Sequence, residues 1–219
     1  MNVRRWSLAT GLLFLISGVA GGLGEAYIPM TLIVRGNPAA TLANIRAHDF
    51  LFRLGFATYL VEAMADIALA LAFYVLLRRV NKEIALLSAF FGLVSTAVYA
   101  VAEFFYLAIT LMPNDAAAAS LLLRAFSLCG TVASAFYGVA SLIRGILIVR
   151  SRYLPKFLGA LMALAGIGFI VKTYLAVLAP RYASDFLLLP MFLTLLAMTA
   201  WFLTKGVNAA KWEEAAGLQ

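Results

Sequence analysis

The chain has 219 residues, 64% of them apolar and 12% charged, and a mean hydropathy of +0.98. These proportions exclude an ordinary soluble domain and describe an all-α polytopic membrane protein. A net charge of +7 would suggest a nucleic-acid partner in a soluble protein. Here the bases sit at the ends of apolar runs, where they act as topology signals, so the bilayer is the expected partner and nucleic acid is not. One cysteine, Cys129, and one histidine, His48, leave no intrachain disulfide, thiolate metal site, bis-histidine haem or zinc-protease histidine pair. No cofactor, metal site or catalytic group is expected.

The first apolar run, 6–28, follows Arg4 and Arg5 and precedes Pro29. Its charged start resembles a signal peptide, with small residues at Val19, Ala20 and Gly21. The Gly18 and Gly22 spacing, with Gly11, Ser17, Gly21 and Gly24, favours retention as a packing helix entering from the cytoplasmic side. Glu25 falls at its outer end. The connection 29–49 contains Asn37 and Pro38, a cap and a first-turn proline that predict a short surface helix to about His48. Leu42 and Ile45 would face the bilayer or the bundle while Asn44, Arg46 and His48 stay wet. This segment reads equally as a lid or as an ordered loop.

The run 50–77 carries Arg53, Glu62 and Asp66. At about 1.5 Å per residue it exceeds the ~30 Å hydrocarbon core, which puts Glu62 and Asp66 near mid-membrane. Arg78, Arg79 and Lys82 end it in a basic turn. The run 84–112 places Ser95, Tyr99, Glu103 and Tyr106 along one helix face by their three- and four-residue spacing. Pro113, Asn114 and Asp115 then supply turn chemistry. The run 120–149 has Arg124 near its outer end and a stripe of Ser127, Thr131, Ser134, Gly138, Ser141 and Gly145. Such a stripe is a helix-packing seam or the wall of a cavity.

Arg144, Arg150, Arg152 and Lys156 are assigned to a second basic connection, with Tyr153, Leu154 and Pro155 as its turn. The run 157–178 contains Gly159, Gly166 and Gly168, and Lys172 toward its outer end. Ser184 or Asp185 caps the last run, 186–204, and Pro190 is close enough to its start to be tolerated. The tail 205–219 suggests an interfacial helix, and Trp6, Trp201 and Trp212 fall on one side as an aromatic belt. Six spans with both termini cytoplasmic put 11 of the 17 bases on the inner side. The chain is thus expected to form a single membrane domain, 1–219, in the cytoplasmic membrane. The two three-helix halves show no repeat.

Several segments carry a resemblance. Leu51-Phe-Arg-Leu-Gly55, Ala65-Asp-Ile-Ala-Leu-Ala-Leu-Ala-Phe-Tyr74 and Leu76-Leu-Arg-Arg-Val-Asn81 resemble the bacterial and archaeal family catalogued as domain of unknown function 4386. Arg150-Ser-Arg-Tyr-Leu-Pro-Lys-Phe-Leu-Gly159, with Ala165 and Gly166 behind it, and Trp201-Phe-Leu-Thr-Lys-Gly-Val207 are similar to its patterns too. The resemblance implies a six-helix integral membrane protein that retains its first helix, and implies no activity. Family members often carry a histidine early in the fourth helix, where this chain has Phe126 and Cys129.

The charges inside the runs need partners, because a central Asp, Lys or Arg costs about 2.5–3.5 kcal/mol on insertion scales. Glu25, Arg53, Glu103, Arg124 and Lys172 are expected as an outer ring, and Glu62 and Asp66 as a deeper pair. The pair is about 40° apart around the helix, whereas Arg53 is about 180° from Glu62. Three bases and four acids could form one network inside the bundle. With Tyr99, these residues are the candidate ligand- or ion-binding set. The pattern suits a binding, transport or accessory protein for a proton, ion, lipid or small molecule, with a polar cavity in the outer half. An intramembrane enzyme for an apolar substrate, or a structural subunit locked by its charges, are the alternatives.

Overall fold

The computed structural model describes residues 2–112 and 114–217. Among them there is no strand, and six helices are long and apolar enough to cross a membrane. These are α1 (Val3–Leu32), α3 (Asp49–Leu77), α4 (Lys82–Leu111), α5 (Ala116–Arg150), α6 (Lys156–Leu178) and α7 (Asp185–Thr204). Two shorter helices are α2 (Pro38–Ala47) and α8 (Ala209–Gly217). The chain is a multi-pass, all-α membrane protein.

Side-chain caps start most of these helices, among them α1, α2, α4 and α5. Asn2, Asn37, Asn81 and Asp115 accept hydrogen bonds from the amides of Arg5, Ala40, Ile84 and Ala118 at 2.8–3.3 Å. Each satisfies an amide that has no partner within its helix. Of the turn residues at the end of α4, Pro113 lies outside the described residues. Asn114 accepts from the Arg46 guanidinium, which ties that turn to α2.

The first span does not stop at Pro29. Residues Gly22–Tyr27 form a π-helical turn, and α-helix resumes over Ile28–Leu32 with Pro29 in its first turn. Proline lacks an N–H and crowds the carbonyl four residues back, so a widened turn just before it lets the helix continue.

Each span packs against the next span in sequence, and α7 closes on α1, so the six form a ring. On α3, Leu60, Met64, Ile67 and Leu71 are exposed at helical spacing, an outward face suited to hydrocarbon. The tightest seam joins α5 to α6. A β-carbon on Gly166 would lie 2.5 Å from the Leu142 backbone nitrogen, and one on Gly145 would strike the Ala163 nitrogen. Gly138, Gly145, Gly159 and Gly166 thus serve backbone-to-backbone packing. Hydroxyls brace the same helix: Ser95 donates to the Ala133 carbonyl at 2.9 Å and Thr173 to the Thr131 carbonyl at 3.2 Å.

Two apolar clusters sit at opposite ends of the ring. The cluster at the termini end includes Phe14, Phe73, Leu76, Leu147, Met198 and Trp212. Trp212 is not a belt residue: it is 3% exposed and donates its indole N–H to the Leu76 carbonyl at 3.1 Å. That bond docks α8 against the bundle. The Tyr153 hydroxyl donates to the same carbonyl at 2.8 Å, and burial holds its phenol above the usual range. At the far end Ile28, Phe52, Tyr59, Tyr106 and Ile109 form the second cluster, with Leu42 and Ile45 of α2 packed into it.

Candidate functional site

Opposite its lipid-facing stripe, α3 turns Tyr59, Glu62 and Asp66 toward its neighbours. Glycines on α1 make room for them. A β-carbon on Gly21 would lie 2.5 Å from Glu62 Oε1, and one on Gly24 would lie 2.6 Å from Thr58 Oγ1. A larger residue at either position would have to displace the side chain facing it.

The π turn carries Glu25. Its carboxyl faces the Tyr99 hydroxyl of α4, although α1 and α4 make no backbone-level contact. Glu25 therefore reaches across the interior of the ring. Single-turn π segments recur at functional sites because they re-aim one side chain within an otherwise regular helix.

Glu103, one turn beyond Tyr99, is 4% exposed, and neither of its carboxyl oxygens has a hydrogen-bond partner among the described residues. The same holds for the Tyr59 hydroxyl and for Glu62 Oε2. Glu62 lies within electrostatic reach of Glu25, Asp66 and Glu103, and Tyr59 within reach of Glu25, Glu62 and Glu103. Aromatic rings wall this group toward the far end. Tyr106 stacks on Phe52 at 4.2 Å and meets Phe126 at 5.4 Å, and Phe126 also meets Tyr59 at 6.0 Å. Phe126 thus closes an apolar wall over the cluster.

Asp66 sits one turn from Glu62 toward the termini end and accepts a 2.9 Å hydrogen bond from Ser17 of α1. It also lines a narrow crevice, with about 10 Å³ of space for water, together with Thr96, Tyr137 and Arg144. Arg144 is 4% exposed, its guanidinium lies 5.1 Å from the centre of the Phe73 ring, and its Nε has no hydrogen-bond partner among the described residues. A β-carbon on Gly92 would be 2.5 Å from its Nη2, so that glycine supplies its space. Asp66 and Arg144 interact across the crevice without closing an ion pair.

The expected separation into an outer charged ring and a deeper pair is not the arrangement found. Glu25, Glu62, Asp66, Glu103 and Tyr99 come together. The three outer bases do not join them. Arg53 pairs with Asp49 at 2.7 Å on an exposed face, Lys172 pairs with Asp185 at 2.7 Å, and Arg124 is exposed without an ion pair among the described residues. Lys172 still lies within electrostatic reach of Glu25. The buried base is Arg144, which sequence reading placed in a basic connection. It lies six residues inside α5, more than one turn from the helix end, and that depth is the one signal in the sequence of its burial.

This assembly offers clustered carboxyls, phenols that can donate to them, and a single buried cation one level away. Among the described residues, no three His, Cys, Asp or Glu side chains are close enough together to hold a metal ion. A proton needs only one carboxyl at a time, so the geometry suits proton exchange better than chelation.

A 110-residue stretch is 32% identical to an uncharacterised protein of Archaeoglobus fulgidus, covering 50% of this chain and 59% of that protein. The match thus spans about three-fifths of the archaeal protein's length. No solved structure matches. The family model described as Domain of unknown function (DUF4386) matches residues 9–206, and this chain belongs to that family.

Proposed function

We propose that the protein is a proton-binding membrane protein whose Glu25, Glu62, Asp66 and Glu103 carboxyls exchange protons between the far end of the bundle and its interior, in a transport or accessory role. The observation that carries this reading is Glu103: a carboxyl 4% exposed, with neither oxygen partnered among the described residues, near a Tyr59 hydroxyl in the same position. A buried polar group without a partner is costly, and ionisable groups retained inside membranes serve proton or ion pathways. Glu25 is the entry, because it stands toward the far end, seven residues before Leu32, where α1 ends. Glu62 and Glu103 receive the proton from it. Asp66 holds the innermost position, opposite Arg144.

The host membrane is the cytoplasmic one and the termini face the cytoplasm. Arg78, Arg79, Lys82, Arg150, Arg152 and Lys156 all gather at the termini end, in accord with the positive-inside bias. The test is a proton inventory of purified protein in weakly buffered detergent after an acid pulse. The wild type should take up more protons than the E62Q/E103Q variant, and equal uptake by the two would contradict the reading. Dye-loaded liposomes then separate transport from binding alone.

A further inference from the structure

The basic residues at the termini end do more than mark sidedness. An open basin of about 440 Å³ lies between the α5–α6 and α7–α8 connections. Arg152 rises from one rim and Lys205 from the other, with the Trp201 ring as a wall between them. Both bases are exposed, and neither has an ion pair among the described residues. Lys205 Nζ lies 5.0 Å from the centre of the Trp201 ring, and no acidic side chain lines the basin.

The rims are held rather than loose. The Asn208 amide donates to the Tyr153 carbonyl at 3.1 Å, which links the two connections directly. The Tyr153 hydroxyl is anchored on Leu76, the Val207 amide donates to Ser7 Oγ at 3.1 Å, and the Trp201 indole donates to the Gly206 carbonyl at 2.9 Å. Gly206 adopts a φ of +66° at this turn, a conformation natural to glycine. Pro155 and Asn208, the residues preceding α6 and α8, also line the basin, so the positive ends of two helix dipoles add to the two side-chain charges.

A preformed concave site with two unpaired cations and an aromatic wall, at the end of a transmembrane ring, has the chemistry to hold a phosphate group. We propose that this basin binds the phosphodiester headgroup of an anionic phospholipid, with Arg152 and Lys205 on the phosphate and Trp201 against the glycerol backbone region. The lipid would fasten α8 and the two connections to the bundle at headgroup level. This site is separate from the carboxyl cluster.

The test uses the full chain in neutral detergent micelles supplemented with phosphatidylglycerol, with phosphatidylcholine, or with inorganic phosphate. Retained lipid is counted by native mass spectrometry and melting temperature is followed in parallel. Phosphatidylglycerol should be retained over phosphatidylcholine and should raise the melting temperature. R152Q/K205Q should weaken that retention about twenty- to thirtyfold, from the contribution of two interfacial bases. R4Q/R5Q, an equal loss of charge outside the basin, should not. A response to inorganic phosphate as well would assign the recognition to phosphate itself, and a response to lipid alone to the whole headgroup. Equal retention of the two lipids, or equal losses in the two double variants, would overturn the proposal. The wild-type lipid comparison stands even if a variant fails to fold.

Discussion

Gly21 of α1 and Glu62 of α3 are so close that a β-carbon at Gly21 would lie 2.5 Å from Glu62 Oε1 and 2.9 Å from its Cδ. The carboxyl is the end of a flexible side chain, so the added methyl of G21A can be accommodated by swinging Glu62 aside. G21A should therefore fold with little change in melting temperature and lose part of the proton uptake assigned to Glu62. G22A, with nothing within 4 Å of its added carbon, should alter neither. Paired thermal and proton-uptake measurements on both variants check this, and loss of uptake in G22A would break the link to Glu62.

A second prediction concerns Arg144 and Asp66, which face each other across the inner crevice. Removing one charge leaves the other buried beside nothing to offset it. R144Q should lower the melting temperature, and R144Q/D66N should recover much of that loss. A double variant no more stable than R144Q would show that the two charges do not act on each other.

The six spans were readable because hydrocarbon thickness imposes a minimum length on any apolar helix that crosses it. The interior position of Glu62 and Asp66 was readable for a related reason, since a carboxyl facing lipid is costly. Partner choice was not readable. Arg53 and Lys172 looked available to the inner acids, yet each has a nearer carboxylate, Asp49 one turn back and Asp185 at the start of the next span. Arg144 was hidden because charges near helix ends ordinarily mark the membrane surface. Only the facing Gly92, on a helix whose rotation the sequence leaves open, makes its burial possible. The π turn left only indirect traces, Pro29 and the small residues before it. Trp212 reads as an interfacial residue by position, and its burial depends on a carbonyl of α3 to which nothing in the tail points.

A third prediction follows from those surface pairs. R53Q and K172Q remove bases outside the carboxyl cluster, from pairs whose acidic partners are exposed at 53% and 83%. Exposed ion pairs contribute little. Neither variant should shift the melting temperature measurably, and R53Q should leave proton uptake at the wild-type level. A collapse of uptake in R53Q would return Arg53 to the site.

The α5–α6 seam supplies a fourth. Gly145 has no room for a β-carbon because the obstacles are backbone atoms of Gly159 and Ala163, which cannot swing aside. G145A should therefore force the helices apart and cost about 1–3 kcal/mol or more. Gly130, whose added carbon would meet only a ring atom of Tyr99 at 3.4 Å, should tolerate alanine. Thermal unfolding of both variants in the same detergent provides the comparison.

The central claim is that buried carboxyls of this cluster exchange protons, and the infrared difference spectrum between acid and alkaline pH, recorded in lipid, tests it most directly. The wild type should show a protonated-carboxyl C=O stretching band that disappears on alkalinisation. E103Q should remove part of that band and E62Q/E103Q more of it. A difference spectrum left unchanged by both substitutions would contradict the account.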